Sequence, residues 1–218
     1  MTSDFLTPVL LSLKVALLSG VLAFGLAGFA AWRIAGRKFK GRLLLETIFM
    51  LPMVLPPTVV GFLLLIVFGR RGFIGRAFEF LSGMPIVFTW GAAVLAATVV
   101  AFPLAYQAAK AGFASIDRDL LEAGRSLGAS EWRLLWLVEI PLAYRSLMTA
   151  FILGFARALG EFGATLMIAG NIPGRTQTLP TAIYMAVESG NMNLAWFWAG
   201  LMILISFVLL AITSPRSE

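Results

Sequence analysis

Two charged residues one helical turn apart, Arg157 and Glu161, interrupt an apolar stretch that runs from about Leu147 to Ala169. At i, i+4 spacing their side chains share one face of a helix. At bilayer depth each charge costs about 2.5–3.5 kcal/mol on insertion scales, so both must face protein or water. Either they form a structural pair, with Glu161 held by another helix, or they line a polar pathway in which Arg157 attracts an anion. Thr165, one turn further on, joins them as a pathway candidate. A pathway must also release what it binds, so strong binding at Arg157 would trap a permeant.

Other chemistry is excluded by composition. The 218 residues contain no cysteine and no histidine, which removes disulfides, Cys or His metal ligands and Cys/His nucleophile pairs. An intramembrane enzyme needs a convergent nucleophile, base or metal set, and one Arg/Glu pair does not supply it. No GxxxxGK[ST] stretch is present to cradle a nucleotide phosphate. Hydrophobic residues make up 60% of the chain and charged residues 13%, with a mean hydropathy of +0.91. Soluble domains are about 45–50% apolar and about 25% charged, so lipid is the solvent here. The net charge of +6 then marks cytoplasmic loops rather than a nucleic-acid partner.

A helix needs about 20 mostly apolar residues to cross the hydrocarbon, and five stretches qualify: about Pro8–Trp32, Leu43–Phe68, Pro85–Ala109, Leu147–Ala169 and Leu194–Thr213. The first lacks the basic flank and short apolar core of a signal peptide and reads as a true span. Lys14 inside it snorkels toward the outer interface. One set of loops holds Arg33, Arg37, Lys38, Lys40, Arg42, Lys110, Arg118, Arg125, Arg133, Arg145 and Arg216; the other holds Arg70, Arg71, Arg76 and Arg175. The positive-inside rule therefore predicts an outside N-terminus and a cytoplasmic C-terminus. The fold class is an all-α, multi-pass membrane protein forming a single domain over residues 1–218.

Pro52, Pro56 and Pro57 predict a kink in the second span, which frees backbone groups that protein or water must satisfy. Thr58 is placed to do so locally, and Pro56, Pro57 and Thr58 are pathway candidates as much as packing ones. Gly20, Ala23, Gly25, Ala27 and Gly28 in the first span, and Gly154, Ala158, Gly160, Gly163 and Ala164 in the fourth, suit close helix packing in lipid, within the chain or across a dimer seam.

The polar segment at about 115–145 lies between the third and fourth spans. Ser115 reads as an N-cap, Asp117 and Asp119 as first-turn acids, Ile116, Leu120, Ala123 and Leu127 as one face, and Gly128 as the stop. A second helix capped by Ser130 shows Trp132, Leu135 and Trp136, and Pro141 redirects the chain into the next span. Helix, glycine turn, helix and proline make either an interfacial helix pair or a knob for a cytoplasmic partner. The other polar segment, about 170–193, predicts a short outer helix over Pro180–Glu188 with Ile183, Ala186 and Val187 as its apolar face.

Glu122, Ala123 and Gly124, then Gly128, then Val138, Ile140 and Pro141 resemble the EAA loop of ABC importer permeases, with Gly124 in place of the second alanine and Ile140 in place of leucine. FARALGEFGATLMIAGNIPGRTQTLPTAIY, LPMVLPPTVVGFLLL and GRRGFIGR are similar to the molybdate/sulfate branch of that family, molybdate permeases above all. The resemblance covers nearly the whole chain. It implies a type I ABC importer permease fold in a bacterial inner membrane and import of molybdate or tungstate, with sulfate as the alternative oxyanion. It implies a homodimeric pathway and two cytoplasmic ATPase subunits docked on the EAA loops. It also implies a periplasmic oxyanion-binding protein, for which Arg70, Arg71, Arg76 and Arg175 are the docking candidates. No cofactor is expected in this chain, ATP and Mg belonging to the ATPase. An ATP-independent channel is the competing class, and it leaves the knob without a use.

Overall fold

The computed structural model describes residues 2–37 and 39–213; Lys38 and Arg216, counted above among the inner basic residues, lie outside the described residues. Among the described residues the regular structure is helical: α1 (Thr2–Ile34), α2 (Arg42–Val54), α3 (Pro57–Phe68), α4 (Phe73–Ser82), α5 (Trp90–Ala114), α6 (Arg118–Ser126), α7 (Glu131–Leu134), α8 (Ile140–Leu159), α9 (Gly163–Ala169), α10 (Leu179–Glu188) and α11 (Met192–Thr213). A π-helical turn, Leu135–Glu139, joins α7 to α8. Among the described residues four helical runs are long and apolar enough to cross a membrane, and α2 with α3 is a bent pair with the length and composition of either a broken span or a re-entrant loop.

α5 is the axis, packed between α1 and α8. Its alanines 92, 93, 96, 97, 101, 105 and 109 are fully buried. Methyl side chains at this density let neighbouring backbones close in, which is how helices associate where lipid offers no hydrophobic drive. Of the small residues in α1, Ala23 and Ala27 are fully buried, and a Cβ on Gly20 would sit 3.2 Å from Phe155. Gly25 and Gly28 have no such neighbour within 4 Å. The intramolecular seam thus uses only one edge of that stripe. Lys14 lays its ammonium on the Trp90 ring, 3.8 Å from the centroid, at the start of α5.

Two predicted spans are broken rather than kinked. α2 and α3 turn by 114°. Leu55 precedes Pro56, and Pro56 precedes Pro57, so two consecutive residues are pushed out of the helical region. Leu55 has ψ 143° and Pro56 has ψ 136°. Pro57 then opens α3, where its missing N–H costs nothing. Pro56's carbonyl accepts the Val59 and Val60 amides; Thr58, predicted to satisfy freed backbone groups, is not among the residues that do so. The helix of the fourth span begins at Glu131 instead of Leu147, with α8 as its main part, ends at Leu159 and resumes as α9. The third begins at Trp90 because Thr89 caps it, its Oγ1 accepting the Ala92 amide.

The two breaks pack against each other. A Cβ on Gly163 would lie 3.0 Å from Pro57 Cβ, and one on Gly61 would lie 2.8 Å from Ala164 Cα and 2.7 Å from Met167 Cβ. Gly61→Ala is therefore expected to push α3 from α9 and cost about 1–3 kcal/mol, as overpacking does. A lowered melting temperature in detergent is the readout, and wild-type melting would refute the close approach.

α4 arises from the GRRGFIGR region that the sequence reading leaves without a helix. α10 forms where predicted, but Leu179, Ala182 and Ala186 make its packed face, with Ile183 partly buried and Val187 exposed.

Candidate functional site

α6 is shorter and later than the sequence suggests. Asp117, not Ser115, caps it, accepting the Asp119 amide. Ser115 closes α5 instead, its hydroxyl donating to the Gly112 carbonyl. At the other end Gly128 has φ +82°. The Gly128 amide donates to the Arg125 carbonyl and the Ala129 amide to the Gly124 carbonyl, the 5→2 and 6→1 bonds of a Schellman ending. Ser130 caps α7 as predicted, accepting the Arg133 amide.

The apolar face of α6 points away from the bundle. Ile116 is buried, but Leu120 is 47% exposed, Ala123 is exposed and Leu127 is 89% exposed. The packed side is carried by Leu121 and by Gly124, where a Cβ would meet Leu134 at 2.6 Å. In α7 and the π turn, Leu134 and Leu135 are buried while Trp132 and Trp136 are exposed, so Leu135 does not share the outer face predicted for it with the two tryptophans. Glu122 is exposed at the knob's surface.

Pro141 does not redirect the chain. The helix runs on without a break from Glu131 to Leu159. The Ile140 amide reaches back five residues to the Leu135 carbonyl, and this wider turn precedes the proline that cannot donate. Val138 is half-buried in the turn, Ile140 packs into the core beneath the knob, and Pro141 is exposed.

Long-range bonds tie the knob to α1. Arg118 Nη2 donates to the Gly36 carbonyl at 3.0 Å, Trp32 Nε1 donates to buried Glu139 Oε1 at 3.3 Å, and Trp132 packs on Trp32 at 5.4 Å. Both arginine-rich loops therefore sit at one end of the bundle. Between them lies a cavity of about 470 Å³ whose charges are mixed: Arg37, Arg42, Arg118 and Arg125 line it with Glu122, Glu131 and Glu139. Arg125 Nε donates to Glu131 Oε1 at 2.8 Å. That bond raises the Arg125 guanidinium further above its ordinary pKa. The pair is exposed and adds only about 0–1 kcal/mol.

At mid-bundle, Arg157 Nη1 lies 2.9 Å from Glu161 Oε2, and Glu161 Oε1 accepts the Ala164 amide at 2.8 Å. One carboxylate thus neutralises an arginine and satisfies a first-turn donor of α9. Thr165 is 1% exposed and packed within the chain, while Pro56, Pro57 and Thr58 are exposed at the facing break. Sequence reasoning missed a second charged hub. Glu46 Oε1 receives Lys110 Nζ at 2.7 Å, Arg42 Nε at 3.1 Å and the Tyr106 hydroxyl at 3.4 Å. α2 buries no residue; this hub and the packing of Phe49 on Phe102 and Tyr106 hold it to α5. A lone glutamate in an apolar stretch is a signal, but its partners on α5 are too distant in sequence for spacing to reveal them.

Arg70, Arg71, Arg76 and Arg175 are exposed at the end of the bundle where α5 begins, opposite the knob. Arg70 and Arg175 line one cavity; Arg71 and Arg76 do not share it.

Residues 23–214 match the family described as binding-protein-dependent transport system inner membrane component. YvgM of Bacillus subtilis (strain 168), assigned by name to molybdenum transport as a permease protein, is 55% identical over 208 residues, covering 95% of this chain and 92% of that protein. The molybdenum transport system permease protein ModB of Escherichia coli (strain K12) is 43% identical over 181 residues, 83% of this chain and 79% of its own. The methionine ABC transporter MetNI, solved in inward facing conformations, superposes with a TM-score of 0.75 over 98% of this chain and 94% of that one at 16% identity, a likeness of fold. With the family match spanning most of its length and the fold of an ABC importer permease, this chain belongs to the inner membrane components of binding-protein-dependent transport systems.

Proposed function

We propose that the chain is the translocating subunit of an ATP-driven molybdate importer that also accepts tungstate. Two copies form the pathway over two separate ATPase subunits, and an oxyanion-binding protein delivers cargo at the far side. The N-terminus lies outside and the knob faces the cytoplasm. The observation that carries the coupling role is the outward apolar face of α6: Leu120, Ala123 and Leu127 are exposed on a rigid, glycine-turned knob at the polar end of the bundle. That surface has the form of a socket ligand, and Glu122 stands beside it. The 55% and 43% identities to proteins named for molybdenum transport support the cargo. ATP and Mg act on the ATPase partner, and this chain carries no cofactor. Closure of the ATPase pair pulls the knobs together and rocks the two copies between inward and outward openings. The abutting breaks near Pro57, Thr58, Arg157, Glu161 and Thr165 form the gate region. Arg70, Arg71, Arg76 and Arg175 meet the binding protein.

Purification of the tagged chain from native membranes tests this. The wild type is expected to retain a Walker-motif ATPase, and Glu122→Lys to lose at least about tenfold of it, because a misplaced interfacial charge costs several kcal/mol. ATP-dependent uptake of molybdate, compared with tungstate and sulfate, checks the cargo. Absence of any ATPase beside the wild type would reject the coupling role and favour a self-contained channel.

A further inference from the structure

We infer that the cavity between the α4–α5 loop and the α9–α10 loop is a receiving subsite for a tetrahedral divalent oxyanion, held by Arg70 and Arg175. The inference rests on the oxyanion reading above and adds a site to it. The cavity measures about 410 Å³ and is lined by both arginines with Phe88, Thr89, Ile172 and Val87 among its walls, and no acidic residue lines it. In this it differs from the cavity beside the knob, where glutamates face the arginines.

Among the described residues one guanidinium is unpaired and the other is held only by a long, exposed ion pair. Arg70 meets Glu79 at 3.6 Å with most of its side chain exposed, too long for a good charge-assisted hydrogen bond. Arg175 has no ion pair among the described residues. Two guanidiniums in one cavity, only one of them ion-paired, suit an oxygen-rich dianion, because each planar guanidinium can donate two parallel hydrogen bonds.

The walls are fixed independently of the arginines. Arg175 sits in a turn wound around one carbonyl: Ile172 O accepts the amides of Arg175, Thr176 and Gln177. The fully buried Thr176 hydroxyl accepts the Ile172 amide at 2.9 Å. Across the cavity Phe88 holds φ +59°, the one non-glycine residue with positive φ among the described residues. For a bulky side chain this conformation is strained. The Phe88 amide donates to the Ile168 carbonyl at 3.0 Å, and its ring covers Gly170, where a Cβ would come within 3.1 Å. That hydrogen bond and ring contact hold the strained loop against the end of α9, so the cleft is tied to the half-helix that Glu161 caps. The space exceeds one desolvated oxyanion and leaves water around it. Binding is weak, as a site on a transport route requires.

Tungstate is the probe. It would be titrated by equilibrium dialysis into the full permease–ATPase complex in nanodiscs, without binding protein. The expected result is saturable binding, one tungstate per permease chain, displaced by sulfate. Arg70→Gln and Arg175→Gln should each weaken it about tenfold, the scale of a lost charge-assisted contact. Arg175→Lys should retain more affinity than Arg175→Gln, which separates lost recognition from misfolding. Lys14→Gln removes a charge near the start of α5 without touching the cavity and should leave binding unchanged. No saturable binding, equal weakening by Lys14→Gln, or arginine variants that lose only the binding protein while keeping tungstate would each overturn the subsite. ATP-dependent molybdate uptake by the wild type, measured with binding protein, tests the transport reading separately; uptake without cleft binding rejects the cleft alone.

Discussion

Glu161→Ala is expected to destabilise the protein by about 3–5 kcal/mol, the cost of removing one partner from a buried ion pair. Three losses coincide. Arg157, half-buried at mid-bundle, keeps its charge and loses its carboxylate at 2.9 Å. The Ala164 amide loses its acceptor at 2.8 Å. The Glu161 side chain, 2% exposed, leaves a void between α8 and α9. Since whole-domain stabilities are about 5–15 kcal/mol, the variant should melt early in detergent and accumulate poorly. Glu161→Gln keeps an acceptor for Ala164 but not the ionic partner, and should fall between. Arg157→Met combined with Glu161→Gln removes both charges, and should recover part of the loss. A double variant that is stable and still transports molybdate assigns the pair to structure. A stable double variant that no longer transports assigns it to the pathway. Wild-type melting of Glu161→Ala would refute the buried pair itself.

The sequence carried the helical class and four of the five expected crossings because apolar length is a property of single segments. It carried the knob for the same reason: cap, glycine and Ser130 are local signals, and Gly128 and Ser130 act as read. What it hid was geometry that depends on combining local rules or on distant partners. Three prolines suggested a kink, but the 114° turn follows from two adjacent residues each preceding a proline. Pro141 looked like a breaker, yet a π turn absorbs it. The outward face of α6 could not be read from periodicity. Periodicity identifies an apolar stripe without saying whether the bundle or a partner covers it. Of the candidate site, Arg157 and Glu161 paired at their predicted spacing, whereas the meeting of Arg70 with Arg175 and the Glu46 hub required the fold.

Gly128→Val is expected to remove nearly all ATP-coupled uptake while leaving the membrane bundle folded. Gly128 holds φ +82°, where an L side chain costs about 1–2 kcal/mol and a β-branched one more. In a core helix such strain would be shared among many contacts. α6 has no buried residue, and it is held by the Schellman bonds, the Leu134 contact at Gly124, packed Leu121 and the Arg118 bond to Gly36. A strain of this size is comparable with the local stability of the turn, so α6 should fray or swing while α1, α5 and α8 keep their packing. The order of effects follows from backbone preference alone: Asn, which enters the left-handed region readily, should be tolerated best, Ala less and Val least. A Cβ at Gly128 meets nothing within 4 Å, so sterics within the chain cannot produce that order. Hydrogen exchange over residues 118–130 should accelerate in the same sequence as uptake declines, with melting of the bundle unchanged. If Gly128→Val transports like the wild type, the rigid turn is not what transmits the stroke. If all three variants fail equally with normal exchange, the glycine is instead needed as bare surface against the ATPase.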